Sequence, residues 1–126
     1  MPVSPKDRAN WAVFCLAKSC EFQIQLFPQF AEVPDELALQ FEEAVAPIFS
    51  GEYEVDGDFL IDLKVIDKML ERISGEANLE FWTIESLCGS VEWMQIREYA
   101  AKVCLRHGLD EDVCPPLGWS YIGPKE

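Results

Sequence analysis

Residues 33–51, with the sequence VPDELALQFEEAVAPIFSG, predict an α-helix that buries one face and exposes the other. Pro34 suits the first turn of a helix, and Asp35 and Glu36 follow it there, where the helix dipole favours negative charge. At about 100° per residue, four apolar residues lie opposite four acids. The apolar face holds Leu37, Phe41, Ala44 and Ile48, and the acidic face holds Asp35, Glu36, Glu42 and Glu43. We therefore expect a helix packed on one side only, which Pro47 ends or kinks.

The N-terminal segment predicts a largely buried helix. Ser4 and Pro5 provide an N-cap and a first-turn proline, and Asp7 stands at the third helical position in the manner of a capping box. Apart from one narrow polar stripe, nearly all residues as far as Phe27 are apolar, so this helix is expected to be central and to end at the following proline. The alternation in CEFQIQLF, residues 20–27, leaves a short strand open as an alternative.

Three more helices complete the predicted bundle. The first follows Asp58, which can cap it, and closes at Gly75; the second covers 77–88, where a strand over 79–84 is the alternative; the last covers 91–107. In the first of these helices, the residues expected to face the core are Phe59, Leu63, Ile66, Leu70 and Ile73. In the second they are Phe81, Ile84 and Cys88. In the last they are Trp93, Ile96, Ala100, Val103, Cys104 and His107, and Met94, Ala101 and Leu105 are expected to widen its apolar side. The sequence thus predicts one all-α domain over residues 1–126, a bundle of four to five helices with an irregular tail, rich in proline and glycine, packed against it.

The composition is that of a folded but strongly acidic chain. Apolar residues make up 49% of its 126 residues, and the formal net charge is −13. Such a charge repels nucleic acid and anionic membranes, so neither is expected as a partner, whereas basic proteins are favoured. The first residues lack the order of a secretory signal, and no apolar run approaches the roughly 20 residues of a membrane span. We expect a cytoplasmic protein, with a monomer as the favoured state.

The cysteines predict reduced thiols rather than a disulfide framework. They are five in number and show no CxxC spacing, and free cysteines are usually small core residues. They stand at Cys15, Cys20, Cys88, Cys104 and Cys114.

Two groups of residues resemble metal sites, and neither is favoured. Residues 52–63 begin like an EF-hand loop, but the twelfth position is Leu63, where calcium requires a bidentate carboxylate. Cys104, His107 and Cys114 could supply three zinc ligands, but no fourth is identifiable. The sequence therefore predicts neither a metal nor a cofactor.

Acidic residues crowd the segment from Ser19 to Leu63, which holds eleven acids and no basic residue. Leu39 lies at about 40° from Asp35 on the helical wheel, in the middle of the acidic face. An exposed leucine among carboxylates suits protein docking, because the charges steer the encounter and a desolvated apolar centre holds the complex. A charge run is also typical of a surface that only keeps a protein soluble, and that alternative stays open.

The charge, size and predicted helices resemble those of the bacterial immunity proteins that neutralise toxin domains. The resemblance is to the class and involves no motif of a particular family. It implies a stoichiometric inhibitor that occludes the active site or substrate groove of a cationic toxin, with carboxylates in place of phosphate. The partner-binding residues that it implies are Glu32, Asp35, Glu36, Leu39, Glu42, Glu43, Glu52, Tyr53, Glu54, Asp56 and Asp58.

Two other classes of function compete with an inhibitor. A chaperone for a secreted effector would share the size and acidity, but should be dimeric and expose long apolar grooves. A carboxylate-dependent hydrolase could draw its acid pair from Glu80, Glu85 and Glu92, near two tryptophans. Because no nucleophile, metal or cofactor motif accompanies these glutamates, we expect that the protein is not an enzyme.

Overall fold

The computed structural model describes residues 4–27 and 32–109. Within these residues the chain forms six α-helices and one 3₁₀ segment, and no strand. The predicted all-α fold is confirmed, and neither of the two strand alternatives occurs. The predicted tail after residue 109 lies outside the described residues. The elements are α1 (Pro5–Ala17), α2 (Cys20–Gln25), α3 (Val33–Phe49), α4 (Gly57–Arg72), the 3₁₀ segment (Glu76–Trp82), α5 (Ile84–Gly89) and α6 (Val91–His107).

Helix α1 lies at the centre of the bundle, as its composition predicts. It packs against both α3 and α6, while α4 packs against α6 and α3, and α5 against α6 and the 3₁₀ segment. The α1 residues between Ala9 and Leu16 are almost all buried, with Trp11 and Val13 among them. None of the described helices combines the length and apolarity that a membrane crossing requires.

The prediction of one helix from Pro5 to Phe27 is wrong, because the chain breaks at Lys18 and Ser19. Lys18 has an extended backbone, and the Ser19 hydroxyl caps the new helix α2 by accepting a hydrogen bond from the amide of Phe22. Buried Gln23 donates from Nε2 to the carbonyls of Cys15 and Leu16, 2.9 and 3.2 Å away. The α1 C-terminus is therefore satisfied by a side chain rather than by further helix.

Arg97 of α6 holds this break in place from the opposite side. Its Nε donates to the carbonyl of Lys18 at 3.0 Å and its Nη2 to the carbonyl of Leu87 at 2.8 Å. Burial lowers the pKa of Arg97, although the charge of Glu21 opposes that shift. One guanidinium thus links α6 to the end of α5 and to the α1–α2 break, which lies 79 residues earlier in the chain.

Helix α4 has the inward stripe expected from its periodicity, but not the expected start. All five predicted core residues of α4 and its cap, from Phe59 to Ile73, are buried. The helix begins at Gly57 after Asp56, so Asp58 lies in its first turn and is not the cap. In α3, Pro47 lies inside the last turn, and the helix ends two residues later at Phe49.

Residues 77–88 do not form one helix, because Thr83 restarts the chain. Its hydroxyl accepts from the amide of Ser86 at 3.1 Å and caps α5. The restart changes the helical phase, so Leu87 points into the core, whereas Ile84 and Cys88 are exposed and Phe81 is half-buried. The predicted inward positions of Ile84 and Cys88 are therefore wrong.

Helix α6 has the predicted bounds and core face. Five of the six predicted core residues, from Trp93 to Cys104, are buried, and His107 is half-buried. Gly108 ends the helix in the left-handed conformation, with φ of 68°, which suits glycine. Met94 and Leu105 are exposed, at 45% and 70%, so the expectation that they widen the buried side is wrong.

The expectation of reduced thiols is wrong for one pair of cysteines. Cys20 in α2 and Cys88 in α5 are joined in a disulfide. Cys15 and Cys104 lie outside that pair and are buried, as predicted. Burial raises the pKa of the Cys15 thiol to about 12, so it is uncharged and unreactive at neutral pH. Cys114 lies outside the described residues.

Candidate functional site

The two faces of α3 are arranged as the sequence predicts. The four apolar residues from Leu37 to Ile48 are buried, while Asp35, Glu42 and Glu43 are exposed and Glu36 is half-buried. Leu39 is 47% exposed in their midst. Its side chain is therefore an apolar contact point surrounded by carboxylates.

A shallow groove of about 640 Å³ runs along this face, which we call the α3 groove. Its apolar lining comes from Ala38 and Leu39 on one side and from Leu79 and Trp82 of the 3₁₀ segment on the other. Glu32, Asp35 and Glu42 form its acidic rim, and Ser74 and Gly75 close it at the end of α4. The acids and Leu39 are predicted from the sequence, whereas the second wall is not, because its residues are some 40 positions further along the chain.

The second wall is held rigidly by hydrogen bonds from two tryptophans. Trp82 donates from Nε1 to the carbonyl of Ile73 at 2.6 Å, and Trp93 donates to the carbonyl of Phe81 at 2.6 Å. The two indoles meet edge to face with centroids 5.5 Å apart. At the turn that leads into this wall, Gly75 has φ of 97°, a conformation that other residues rarely adopt.

Asp35 in the rim of the groove has a perturbed carboxyl group. Burial, hydrogen bonding to Glu32 and the charges of Glu32 and Glu36 together raise its pKa from 3.8 to about 6. A second carboxyl group so close by disfavours the ionised form of Asp35, so Asp35 keeps its proton in mildly acidic solution. At neutral pH the ionised carboxylate of Asp35 therefore carries an energetic penalty, because it lowers the free energy of unfolding.

The penalty predicts that Asp35→Asn stabilises the protein at neutral pH. Because the folded state binds the Asp35 proton more tightly than the unfolded state, the carboxyl makes stability fall as pH rises from about 4 to about 6. Asparagine does not titrate, so the free energy of unfolding of the variant should exceed that of the parent by up to about 1 kcal/mol above pH 6, after allowance for the exposure of Asp35. Below about pH 4 the gain should vanish. Urea titrations across this pH range measure the effect.

Asp7→Asn is a matched control for that prediction. Asp7 is an exposed acid in the first turn of α1, as Asp35 is in α3. The control should lose only a few tenths of a kcal/mol, since it removes a favourable charge at a helix N-terminus. An equal loss of stability in both variants would contradict the proposed crowding at Asp35.

The remaining candidate acids form a separate group, which we call the 52–58 loop acids. Glu52, Glu54, Asp56 and Asp58 are exposed in and after the loop that follows α3, at the opposite end from Asp35. Since α3 has 17 residues, its ends are about 25 Å apart. Tyr53 is half-buried and packs against the core, so it presents only part of its ring. The 52–58 loop acids therefore lie beyond the C-terminal end of α3, whereas Asp35 and Glu36 lie in its first turn.

The α3 and 52–58 loop acids form no ion pair within the described part of the chain. The ion pairs found there are Lys68–Glu71 and two that both involve Asp62. Asp62 itself is 6% exposed, so it does not belong to the acidic surface suggested by its position in the sequence. The acidic surface is thus one residue smaller, and its α3 and 52–58 loop acids form no ion pair among the described residues.

Asp62 is the centre of a polar cluster that sequence analysis does not predict. Its Oδ1 accepts hydrogen bonds from the Tyr99 hydroxyl and from Arg106 Nη2, both at 2.8 Å. Its Oδ2 lies 2.8 Å from His107 Nε2, and the His107 ring packs edge to face on Phe59. Burial raises the pKa of Tyr99, and its hydrogen bond to Asp62 adds to that shift. The sequence gives one indication that Asp62 faces inward, since it lies about one turn after Phe59 on the inward side of α4.

The alternative catalytic and metal sites find little support in the geometry. Glu80 and Glu85 are exposed rather than enclosed in an apolar cleft, and Glu92 is half-buried. His107 contacts Asp62, whereas Cys114 lies outside the described residues. Across 4–27 and 32–109, no three His, Cys, Asp or Glu side chains are grouped so that they could hold a metal ion.

Comparisons with known proteins leave the fold and the α3 groove as the basis for assigning a function. No protein-family model matches this chain, and no curated protein and no solved structure matches it with significance.

Proposed function

We propose that this chain is a stoichiometric inhibitor that binds a basic toxin or effector domain through the acidic face of α3. The observation that carries the proposal is an exposed leucine and an apolar groove surrounded by acids that form no ion pair among the described residues. Carboxylates that lack cations attract a basic surface, and the apolar centre supplies the contact that is desolvated in a complex.

The energetic state of Asp35 supports a binding role over a merely solubilising one. Burial first, and then the neighbouring acids Glu32 and Glu36, raise its pKa to about 6, so its negative charge opposes folding at neutral pH. Solubility requires a net charge of only about 2 to 8 in a small domain, well short of −13. A cationic partner bound at the groove would relieve the repulsion between these acids, which a solubilising role does not require.

The inhibitor would act by occupying a site that the toxin uses for a polyanion. Its carboxylates would meet the cationic groups that otherwise bind phosphate, while Leu39 seats on an apolar patch beside them. Complementary charge can raise the association rate constant toward about 10⁸ to 10⁹ M⁻¹ s⁻¹ at low salt. Fast capture suits a protein that must bind a toxin before the toxin acts.

The Cys20–Cys88 disulfide bears on the compartment in which the protein is found. A cytoplasmic location stays a prediction from the sequence, and the Cys20–Cys88 disulfide weighs against it, because disulfides persist mainly in oxidising environments.

For the test, a neighbouring gene that encodes a larger protein with a basic C-terminal domain supplies the candidate partner. That basic domain should form a one-to-one complex with this chain and lose its activity at equimolar ratio. The association rate constant should fall about tenfold or more between low and physiological salt, because exposed charges are screened. A basic domain that stays active in the presence of excess chain would overturn the proposal.

A further inference from the structure

The α3 groove is lined by carboxylates and by apolar side chains, and a single side chain with a charged end and an apolar stem could contact both. Three carboxylates stand at its rim, and an indole with two exposed leucines forms its walls. We propose that the groove accepts one arginine side chain of the basic partner, with an apolar neighbour of that arginine resting on Leu39 and Leu79. This inference rests on the proposed function and specifies the partner residue that the site recognises.

The charge of the rim favours a cation in the groove. Glu32 and Asp35 stand close enough to share a hydrogen bond, and Glu42 lies about two turns beyond Asp35 along α3. A guanidinium presents five N–H donors in a planar fork, which matches two neighbouring carboxyl groups. The described residues supply no ion pair to these three acids, so the position is open to an external cation.

The walls of the groove favour arginine over a more strongly hydrated cation. Tryptophan is the aromatic residue that attracts cations best, and a guanidinium stacks on it more readily than an ammonium does. Trp82 is already held by its hydrogen bond to Ile73 and by contact with Trp93, so little freedom is lost on binding. Leu39 and Leu79 are 47% and 67% exposed and can contact both the methylene groups of the arginine and its apolar neighbour.

Binding of an arginine should be coupled to the proton on the Asp35 carboxyl group, which is hydrogen-bonded to Glu32 at the rim of the groove. With the pKa of Asp35 at about 6, roughly a tenth of the molecules have this carboxyl ionised at pH 5, and nearly all have it ionised at about pH 7.5. If only the ionised form binds, the apparent affinity should rise about tenfold between these values. The groove would then favour its partner at neutral over acidic pH.

The experiment is an NMR titration of the ¹⁵N-labelled full chain with the peptide acetyl-Leu-Arg-Leu-amide. The chain has four tryptophans, so Trp82→Phe identifies the Trp82 indole signal. We expect that signal to shift with the arginine peptide and binding to be about tenfold weaker for the peptide with citrulline, the uncharged analogue of arginine. Binding should weaken about tenfold from pH 7.5 to pH 5. Asp35→Asn should remove most of that pH dependence, whereas Asp7→Asn should leave it unchanged.

Equal shifts with the arginine and citrulline peptides, or shifts confined to residues far from Trp82, would overturn the inference. A lysine peptide that binds as tightly as the arginine peptide would also overturn it. These outcomes are independent of the inhibitor function. If the chain binds and inhibits a basic domain but its groove does not bind the arginine peptide, the proposed function stands and the arginine site is refuted. Conversely, a groove that binds the arginine peptide in a chain that inhibits no basic domain would retain the site and refute the inhibitor.

Discussion

Reversal of four charges on α3 is expected to abolish binding of the basic partner. The variant carries lysine at Asp35, Glu36, Glu42 and Glu43, which cover the acidic face around Leu39. Close charge pairs across an interface each contribute about 1.5 kcal/mol or more, so several reversals should weaken binding by at least about 100-fold. Circular dichroism should stay helical, because these side chains point away from the core.

The 52–58 loop acids provide a control with the same change in net charge. Lysine at Glu52, Glu54, Asp56 and Asp58 alters the total charge equally, but at the other end of α3. We expect this control to slow association and to leave most of the affinity. If the loop variant loses binding while the α3 variant keeps it, the epitope is the loop. If neither variant loses binding, the acidic surface has no part in recognition.

Lysine in the first turn of a helix also opposes the helix dipole, so a second version guards against misfolding. Amides in place of the same four α3 acids remove the charge without adding an opposite one. This neutral version should be at least as stable as the parent chain at neutral pH and still weaken binding about tenfold or more. A neutral version with full affinity would contradict the role of these acids.

Replacement of Asp62 by alanine is expected to cause the largest loss of stability. The aspartate accepts hydrogen bonds from Tyr99 and Arg106 and contacts His107, and these contacts join α4 to the end of α6. A hydrogen bond to a buried charged group contributes about 1.5–3 kcal/mol. Because the Arg106 side chain is 53% exposed and can return to water, we expect a total loss of about 3 kcal/mol rather than the sum. Chemical denaturation measures it.

Asp67→Ala is the matched control, because Asp67 is a half-buried acid on the same helix outside this cluster. It should change stability by less than about 0.5 kcal/mol. Tyr99→Phe and Arg106→Met should each lose about 1 kcal/mol, and the double variant should lose less than the sum because the groups share one acceptor. An Asp62→Ala variant as stable as the parent would show that the cluster does not join the two helices.

The sequence by itself determines those parts of the fold that depend on local periodicity and end signals. The bounds of α6 follow from the apolar spacing and from Gly108, which supplies the left-handed cap. The inward stripe of α4 and the two faces of α3 are predicted for the same reason. A helix face repeats every three to four residues, so the information lies within a few turns of one segment.

Helix periodicity also predicts about half of the residues that line the α3 groove, but not the other half. The rim acids and Leu39 lie within eleven residues of one another on one helix, so their common face can be computed from the sequence. Leu79 and Trp82 meet them only because α4 returns the chain past α3. The raised pKa of Asp35 is likewise a property of the folded surface, since burial is its largest cause.

Only the tertiary structure decides the break after α1, the Cys20–Cys88 disulfide and the Asp62 cluster. The periodic pattern continues through Lys18, and the helix stops there because Gln23 and Arg97 satisfy its carbonyls from elsewhere. Cys20 and Cys88 are 68 residues apart, and Asp62 meets partners 37 to 45 residues away. Hydrogen bonds and charges act between neighbours in space, so their partners are set by how the helices pack and not by spacing along the chain.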